Sequence, residues 1–369
     1  MPKVNDKDLK DNQIDNYDYL GQALPACRTA AAAPSVLLDP SDRFQTVAVI
    51  TDGSRIPVLG DVGPWAALPL AEAKCRLLSQ MTGLTAIPLT FSSSSIEDTV
   101  RLIEAITPSF GALNLEAIDE TAAFYVKRRI SETKELPVYI DSLDGLPVIC
   151  LAALNNALKV VEKKMSEVRL VIAGGETAGL AMVDFLRLAG AADIVVCDRL
   201  GAIHRGRSGP TNWVKEELAS KTNPRQLKGN LPKVTAGSDV LILLSAAQPP
   251  PKDLVATMAP GAVVFNLTDT TTDNLGLPKV YASLADDNPN RLIPALLFPG
   301  LIKGIMEAKA RLLNPSMKMA AAMALANLVP ENSLGPLSVV PPVTKPNLVS
   351  ALTEAVSAAA AASGASRLI

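Results

Sequence analysis

Six consecutive residues, Gly174-Gly175-Glu176-Thr177-Ala178-Gly179, have the types and spacing to hold a phosphate. Glycines at such positions allow a tight strand-to-helix turn and a close backbone approach to a pyrophosphate, which then sits on the helix N-terminus. Asp198 follows at the end of the next apolar run, where an acid can accept a hydrogen bond from a ribose hydroxyl. The chemistry would be hydride transfer with a bound dinucleotide. One residue opposes it. Glu176 stands where the second glycine of the fingerprint belongs, and at ~4 Å with an effective dielectric near ~20 its repulsion of a phosphate is on the order of several kcal/mol. The residues alone therefore predict a dinucleotide-type turn that holds no cofactor.

Other chemistry is thinner. Cys27, Cys75, Cys150 and Cys197 form no C-x-x-C pair, and there is 1 His in the chain, so neither a disulfide framework nor a His/Cys zinc cluster can be assembled.

The elements that must position the turn are legible around it. Residues 168–172 (VRLVI) read as a strand, the glycine turn follows, LAMVDFLRLAG reads as an apolar helix stopped by Gly190, and DIVVCD is the next strand. Strand, turn, helix and strand in that order form a βαβ crossover, the unit of a parallel sheet. DVLILL (239–244) and AVVFN (262–266) add strands in the same style, giving a Rossmann-like, doubly wound α/β domain.

Upstream, TVAVI (46–50) and PVYI (137–140) read as buried strands ending in polar loops. Helical spacing runs from Ala71 to Met81 and from Ser95 to Ile106, the latter with Ser95 as its start signal. Past Pro330 a proline-rich connector leads to an Ala-rich helix over 347–362 that is predicted to pack back on the body. The expected division is 1–150, 151–330 and 331–369.

Composition narrows the partners. Lys+Arg 35 against Asp+Glu 37 gives a net charge of -2 with no basic run, which argues against nucleic acid and for a small-molecule ligand. The polar, acidic start of the chain and the lack of an uninterrupted apolar stretch of ~20 residues predict a soluble, cytoplasmic protein with no membrane partner.

Four long stretches, TDGSRIPVLGDVGPWAALPLAEAK, PSFGALNLEAI, VVCDRLGAIHRGR and ALLFPGLIKGIMEAKAR, resemble the bacterial malic-enzyme family in order and spacing across nearly the whole chain. The resemblance implies an N-terminal malic-enzyme-type α/β domain before the Rossmann-like one, and a homodimer. In that family a Tyr and a Lys run the proton transfers, acidic residues hold a divalent metal and NAD(P) takes the hydride. Counting from TDGS puts Tyr19 on the Tyr. Lys74 matches the Lys, and Asp141 matches the Asp that partners it. A buried or charge-paired lysine can be tuned toward neutrality, so Lys74 is expected to take a proton that Tyr19 returns.

Glu116 matches the first metal ligand, while Ala117 and Ser142 stand in place of the next two. Asn266 matches a cofactor-side Asn beside Gly174, Gly175, Gly179 and Asp198, whereas Pro294, Asp144 and Leu146 replace family residues around the site. The resulting expectation is an enzyme that uses Tyr19, Lys74 and Asp141 on an enolisable small molecule, with no cofactor and a vestigial, unoccupied metal position at Glu116. Two alternatives stay open: NAD or NADP with Mg²⁺ or Mn²⁺ in oxidative decarboxylation of a 2-hydroxy acid, and a non-catalytic scaffold.

Overall fold

The computed structural model describes residues 19–32, 42–133, 135–244, 253–268 and 276–367, in two compact units, Met1–Phe44 and Gln45–Ile369. In the first unit α1 (Tyr19–Ala32) is described, with most of a short 3-10 turn, Asp42–Gln45, at the unit's end. Everything below concerns the second.

It opens with alternating strands and helices: β1 (Thr46–Thr51), α2 (Gly63–Thr82), β2 (Thr85–Thr90), α3 (Ile96–Ile106), β3 (Ala112–Leu115), α4 (Glu120–Thr133) and β4 (Val138–Ile140). The strands form a parallel sheet in the order β2-β1-β3-β4. The expected strands at 46–50 and 137–140 are there, as is the Ser95 cap, whose hydroxyl accepts from the Asp98 N–H at 3.1 Å. Helix α2 runs longer than its periodicity indicated. Pro64 falls in its first turn, where a missing N–H costs nothing, and the helix also tolerates the interior Pro69. Strand β2 escaped the sequence reading because it is an edge strand, half exposed and carrying Pro88.

A π-type turn, Asp141–Gly145, joins β4 to α5 (Leu146–Val160). Together they make a run long and apolar enough to cross a membrane, but 78% of it is buried, as in a core helix. Next come β5 (Arg169–Ala173), α6 (Thr177–Leu188), β6 (Asp193–Asp198), β7 (Gly201–Ala202), α7 (Trp213–Lys221), α8 (Leu231–Thr235), β8 (Val240–Leu243), β9 (Val263–Asn266) and β10 (Val280–Ser283). Their order is β10-β9-β8-β5-β6-β7, parallel but for the β6–β7 pair. The chain winds one way from β5 to β6 and the other way from β8 onward. The point where the direction reverses, between β5 and β8, is where doubly wound sheets bind ligands.

Three helices close the unit: α9 (Phe298–Glu307), α10 (Pro315–Asn327) and α11 (Leu348–Ala362). As expected, the last packs back on the body. A Cβ on Gly300 would lie 2.6 Å from the Leu352 Cβ, and one on Gly304 would lie 2.7 Å from the Val356 Cβ. Two glycines four residues apart thus let α9 and α11 approach backbone to side chain. A continuous core of Val148, Leu151, Ile172, Phe265, Phe298, Leu301 and Val356 runs beneath both sheets.

Candidate active site

Two acids, each from the end of a strand, converge on one buried ammonium from a helix. Lys74 sits on the buried face of α2 at 8% exposure, Glu116 follows the end of β3, and Asp141 follows the end of β4. Both acids lie just past the C-terminal ends of parallel strands, where loops are free to carry function. The Lys74 Nζ donates to Glu116 Oε2 and to Asp141 Oδ2 in two short, charge-assisted hydrogen bonds. The other Asp141 oxygen accepts from the Tyr139 hydroxyl at 2.9 Å. Below the ammonium lies the Phe298 ring, with its centroid 4.6 Å away.

The electrostatics follow from two carboxylates sharing one cation. Burial pulls the Lys74 pKa down, but Asp141 and Glu116 more than offset that, and it stands above its ordinary value. The expected shift toward neutrality is thereby reversed, because the neighbour-paired state wins over desolvation. Glu116 moves up to about 7: burial raises it most, Lys74 pulls it back, and Asp141 adds like-charge repulsion. Burial and Asp141 hold Tyr139 well above the usual phenol range, so it stays a neutral donor.

Of the predicted residues, Lys74, Asp141 and Glu116 are brought together. Tyr19 opens α1 in the first unit, and its side chain lies outside the described residues. Tyr139 was missed: within an apolar strand run its type reads as core filler, and only its strand position immediately before Ile140-Asp141 hints otherwise.

The glycine turn leaves the end of β5 as expected. A Cβ on Gly179 would come within 2.0 Å of the Gly174 carbonyl oxygen, one on Gly174 within 2.9 Å of the Leu244 Cβ, and one on Gly175 within 2.8 Å of Ile203. At Gly179 the backbone itself leaves no room for a Cβ, and at Gly174 the positive φ of 144° and the Leu244 Cβ exclude one, while at Gly175 the tip of Ile203 would have to move. Thr177 begins α6 and donates to Glu120 at 2.8 Å, which ties the turn to α4. Glu176 is exposed and makes no capping bond, so its charge faces water rather than being fixed into the turn. Asp198 is bound bidentately by Arg207, at 2.9 and 2.7 Å, with Lys215 at 3.4 Å. Asn266, buried at the end of β9, accepts from the Thr268 hydroxyl at 2.7 Å.

These residues fit a dinucleotide. A divalent cation fares differently. Mg²⁺ and Mn²⁺ want an octahedron of oxygens, yet Glu116 and Asp141 both grip Lys74, and Ala117 and Ser142 supply no further carboxylate. Among the described residues no group of three His, Cys, Asp or Glu could hold a metal ion. The donor set in this arrangement does not fit such an ion, and no step below runs through one.

Comparison with known proteins decides the family. No family model matches the chain. It is 36% identical over 346 residues to an NAD-dependent malic enzyme of Geobacillus stearothermophilus, covering 92% of this chain and 72% of that one. The chain belongs to the malic enzyme family. It is also 34% identical to a bifunctional malic/malolactic enzyme of Bacillus subtilis strain 168, over 87% of this chain and 80% of the relative. The crystal structure of an NAD-dependent malic enzyme from Thermotoga maritima superposes with a TM-score of 0.87 at 29% identity, covering 97% of this chain and 94% of that chain.

These findings correct two expectations. Relatives named NAD-dependent malic enzyme overturn the reading that no cofactor binds, and with it the reading of a non-redox acid–base enzyme built on Tyr19, Lys74 and Asp141. The physical reason lies in Glu176. The repulsion assigned to it assumed a carboxylate fixed against the phosphate, whereas an exposed one is screened by water and salt and is free to turn away.

Proposed function

We propose that this chain catalyses NAD- or NADP-dependent oxidative decarboxylation of a 2-hydroxy acid of the malate type. The observation that carries the reading is the Lys74 ammonium clasped by Glu116 and Asp141 in a chain of this family. Bound dinucleotide supplies a hydride acceptor, with Gly174, Gly175 and Gly179 to cradle its pyrophosphate and Asp198 and Asn266 to meet its remaining polar groups. The first sheet then handles the substrate and the second the cofactor.

The chain's own residues do the proton work. Lys74, held protonated, orients the C2 oxygen of the substrate. As C2 loses its hydride, the hydroxyl proton passes to Glu116, whose pKa of about 7 suits a base at neutral pH. The bond from C3 to its carboxyl group then breaks, CO₂ leaves, and the electron pair makes an enolate whose oxygen Lys74 neutralises. Protonation of C3, the step the family resemblance gives to Tyr19, then yields the keto acid. Tyr139 keeps Asp141 aimed at Lys74 throughout. The protein acts as a homodimer in this reading, with Tyr19 near the interface, a state that sedimentation equilibrium reads directly.

Incubating the full chain with L-malate and NAD or NADP, with and without Mg²⁺ or Mn²⁺, tests the proposal. Reduced cofactor and keto acid should appear in equal amounts. Neither cofactor being reduced under any of these conditions, with no CO₂ released, overturns it.

A further inference from the structure

A second buried charge cluster starts three residues past Asp141 in the same turn, at a cavity of about 310 Å³ between α4, the π-type turn, α6 and the start of α10. Asp144 forms its floor at 0% exposure. Both of its oxygens accept from the Lys127 ammonium in short contacts, Oδ2 also accepts from the Ile140 N–H at 3.0 Å, and Lys318 reaches Oδ1 at 3.3 Å. Lys127 and Lys318 are themselves largely buried, at 22% and 17% side-chain exposure. Among the described residues Asp144 is the one carboxylate that pairs with either. Asp184 also lines the cavity, but it is half exposed at the rim and shares the Lys221 ammonium with Glu217, both at 2.7 Å.

The floor therefore carries two ammonium groups on one carboxylate, a surplus of one positive charge away from bulk water. Burying such a surplus is unfavourable, and its strain registers in Lys127, whose pKa is lowered by burial and by the neighbouring Lys318 charge against the pull of Asp144. The opposite walls are apolar: Phe124, Leu143, Leu180 and Phe185 face the charges, and Lys318 already lies over the Phe185 ring at 5.6 Å. A cavity with one uncompensated cation and a greasy wall is matched by a ligand with one negative charge and an apolar body. A phosphate would leave the apolar wall uncovered, and a dicarboxylate would bury a second charge against it.

We propose that this cavity binds a small monocarboxylate with an apolar tail, its carboxylate on Lys318 and Lys127 and its tail along Phe124, Leu180 and Phe185. The site shares no residue with Lys74, Glu116, Asp141 or Tyr139, so it stands whether or not the reaction proposed above is the right one.

Isothermal titration of the full chain with hexanoate, hexan-1-ol and hexylamine tests it. Hexanoate should bind about tenfold or more tighter than the alcohol, the difference expected of one charge-assisted contact, and the amine should not bind. Lys318→Met should lose about tenfold or more of the hexanoate affinity while keeping its fold, because Asp144 and Lys127 remain as a balanced pair. Ala181→Phe, which puts a ring into the cavity, should abolish binding with melting temperature retained. Saturating malate should leave the hexanoate affinity of the unaltered chain unchanged. Equal binding of acid and alcohol, undiminished binding by Lys318→Met, or displacement of hexanoate by malate would each overturn the proposal.

Discussion

At the scale of single residues, one ammonium between two acids sets what each group can do. In the proposed reaction Lys74 binds the C2 oxygen, so for Lys74→Met a steady-state assay should find kcat reduced by roughly 10²–10⁴-fold. Glu116 makes a sharper test. A base with a pKa of about 7 must lose its proton to act, so kcat/KM should rise with pH through about 7. In Glu116→Gln that limb should vanish along with most of the rate. Asp144 offers a contrast in stability. Its own pKa is lowered, burial opposing and Lys127 and Lys318 prevailing, so it is a carboxylate held ionised. Asp144→Asn strands two buried ammonium groups, and denaturant unfolding should register a loss of about 3–5 kcal/mol.

At the scale of elements, close approach is the recurring device. The turn between β5 and α6 closes with Gly179 against the Gly174 carbonyl oxygen, a contact that no Cβ survives. Gly179→Ala should therefore weaken NAD binding, measured by titration, and also lower the melting temperature. The α9–α11 contact makes a second case. Gly304→Ala would drive a methyl into Val356, and overpacking of this kind costs about 1–3 kcal/mol, which thermal or chemical unfolding will read. Strands β5, β6, β8 and β9 of the second sheet were legible because buried parallel strands are written as uninterrupted apolar runs, whereas the two edge strands, β7 and β10, were not read. Strand β2, on an edge with Pro88, carries no such signature. The ion pair between Asp144 and Lys318 joins positions 174 residues apart, and no local pattern encodes it. Lys74, Glu116 and Asp141 were findable for a different reason: the first two sit in stretches whose order and spacing resemble a family, and the third was matched by its place in that order. Taken singly, a lysine on a helix and an acid after a strand say nothing.

For the whole molecule, these pairings fix how stability responds to pH. Glu116 has a folded pKa of about 7 against an ordinary 4.5, so the folded state holds its proton more tightly than the unfolded chain does. Stability should fall as pH rises from about 4.5 to about 7, and Glu116→Gln should flatten that segment of a melting-temperature profile. Lys74 works in the alkaline range. Its folded pKa lies above 10.5, so its contribution is complete below that value and disappears as pH climbs through the raised one. Asp144, lowered from 3.8, contributes above that value and is lost as acid protonates it.

The helix that ends the described chain has a reach beyond its own length. Leu352 and Val356 of α11 seat against Gly300 and Gly304 of α9, and the first residue of α9, Phe298, is the ring beneath the Lys74 ammonium. Helix α11 is thus a backstop, by way of α9, for the ring beneath the Lys74 ammonium. A substitution that unseats Leu352 or Val356 would therefore register at the Lys74 ammonium by way of Phe298.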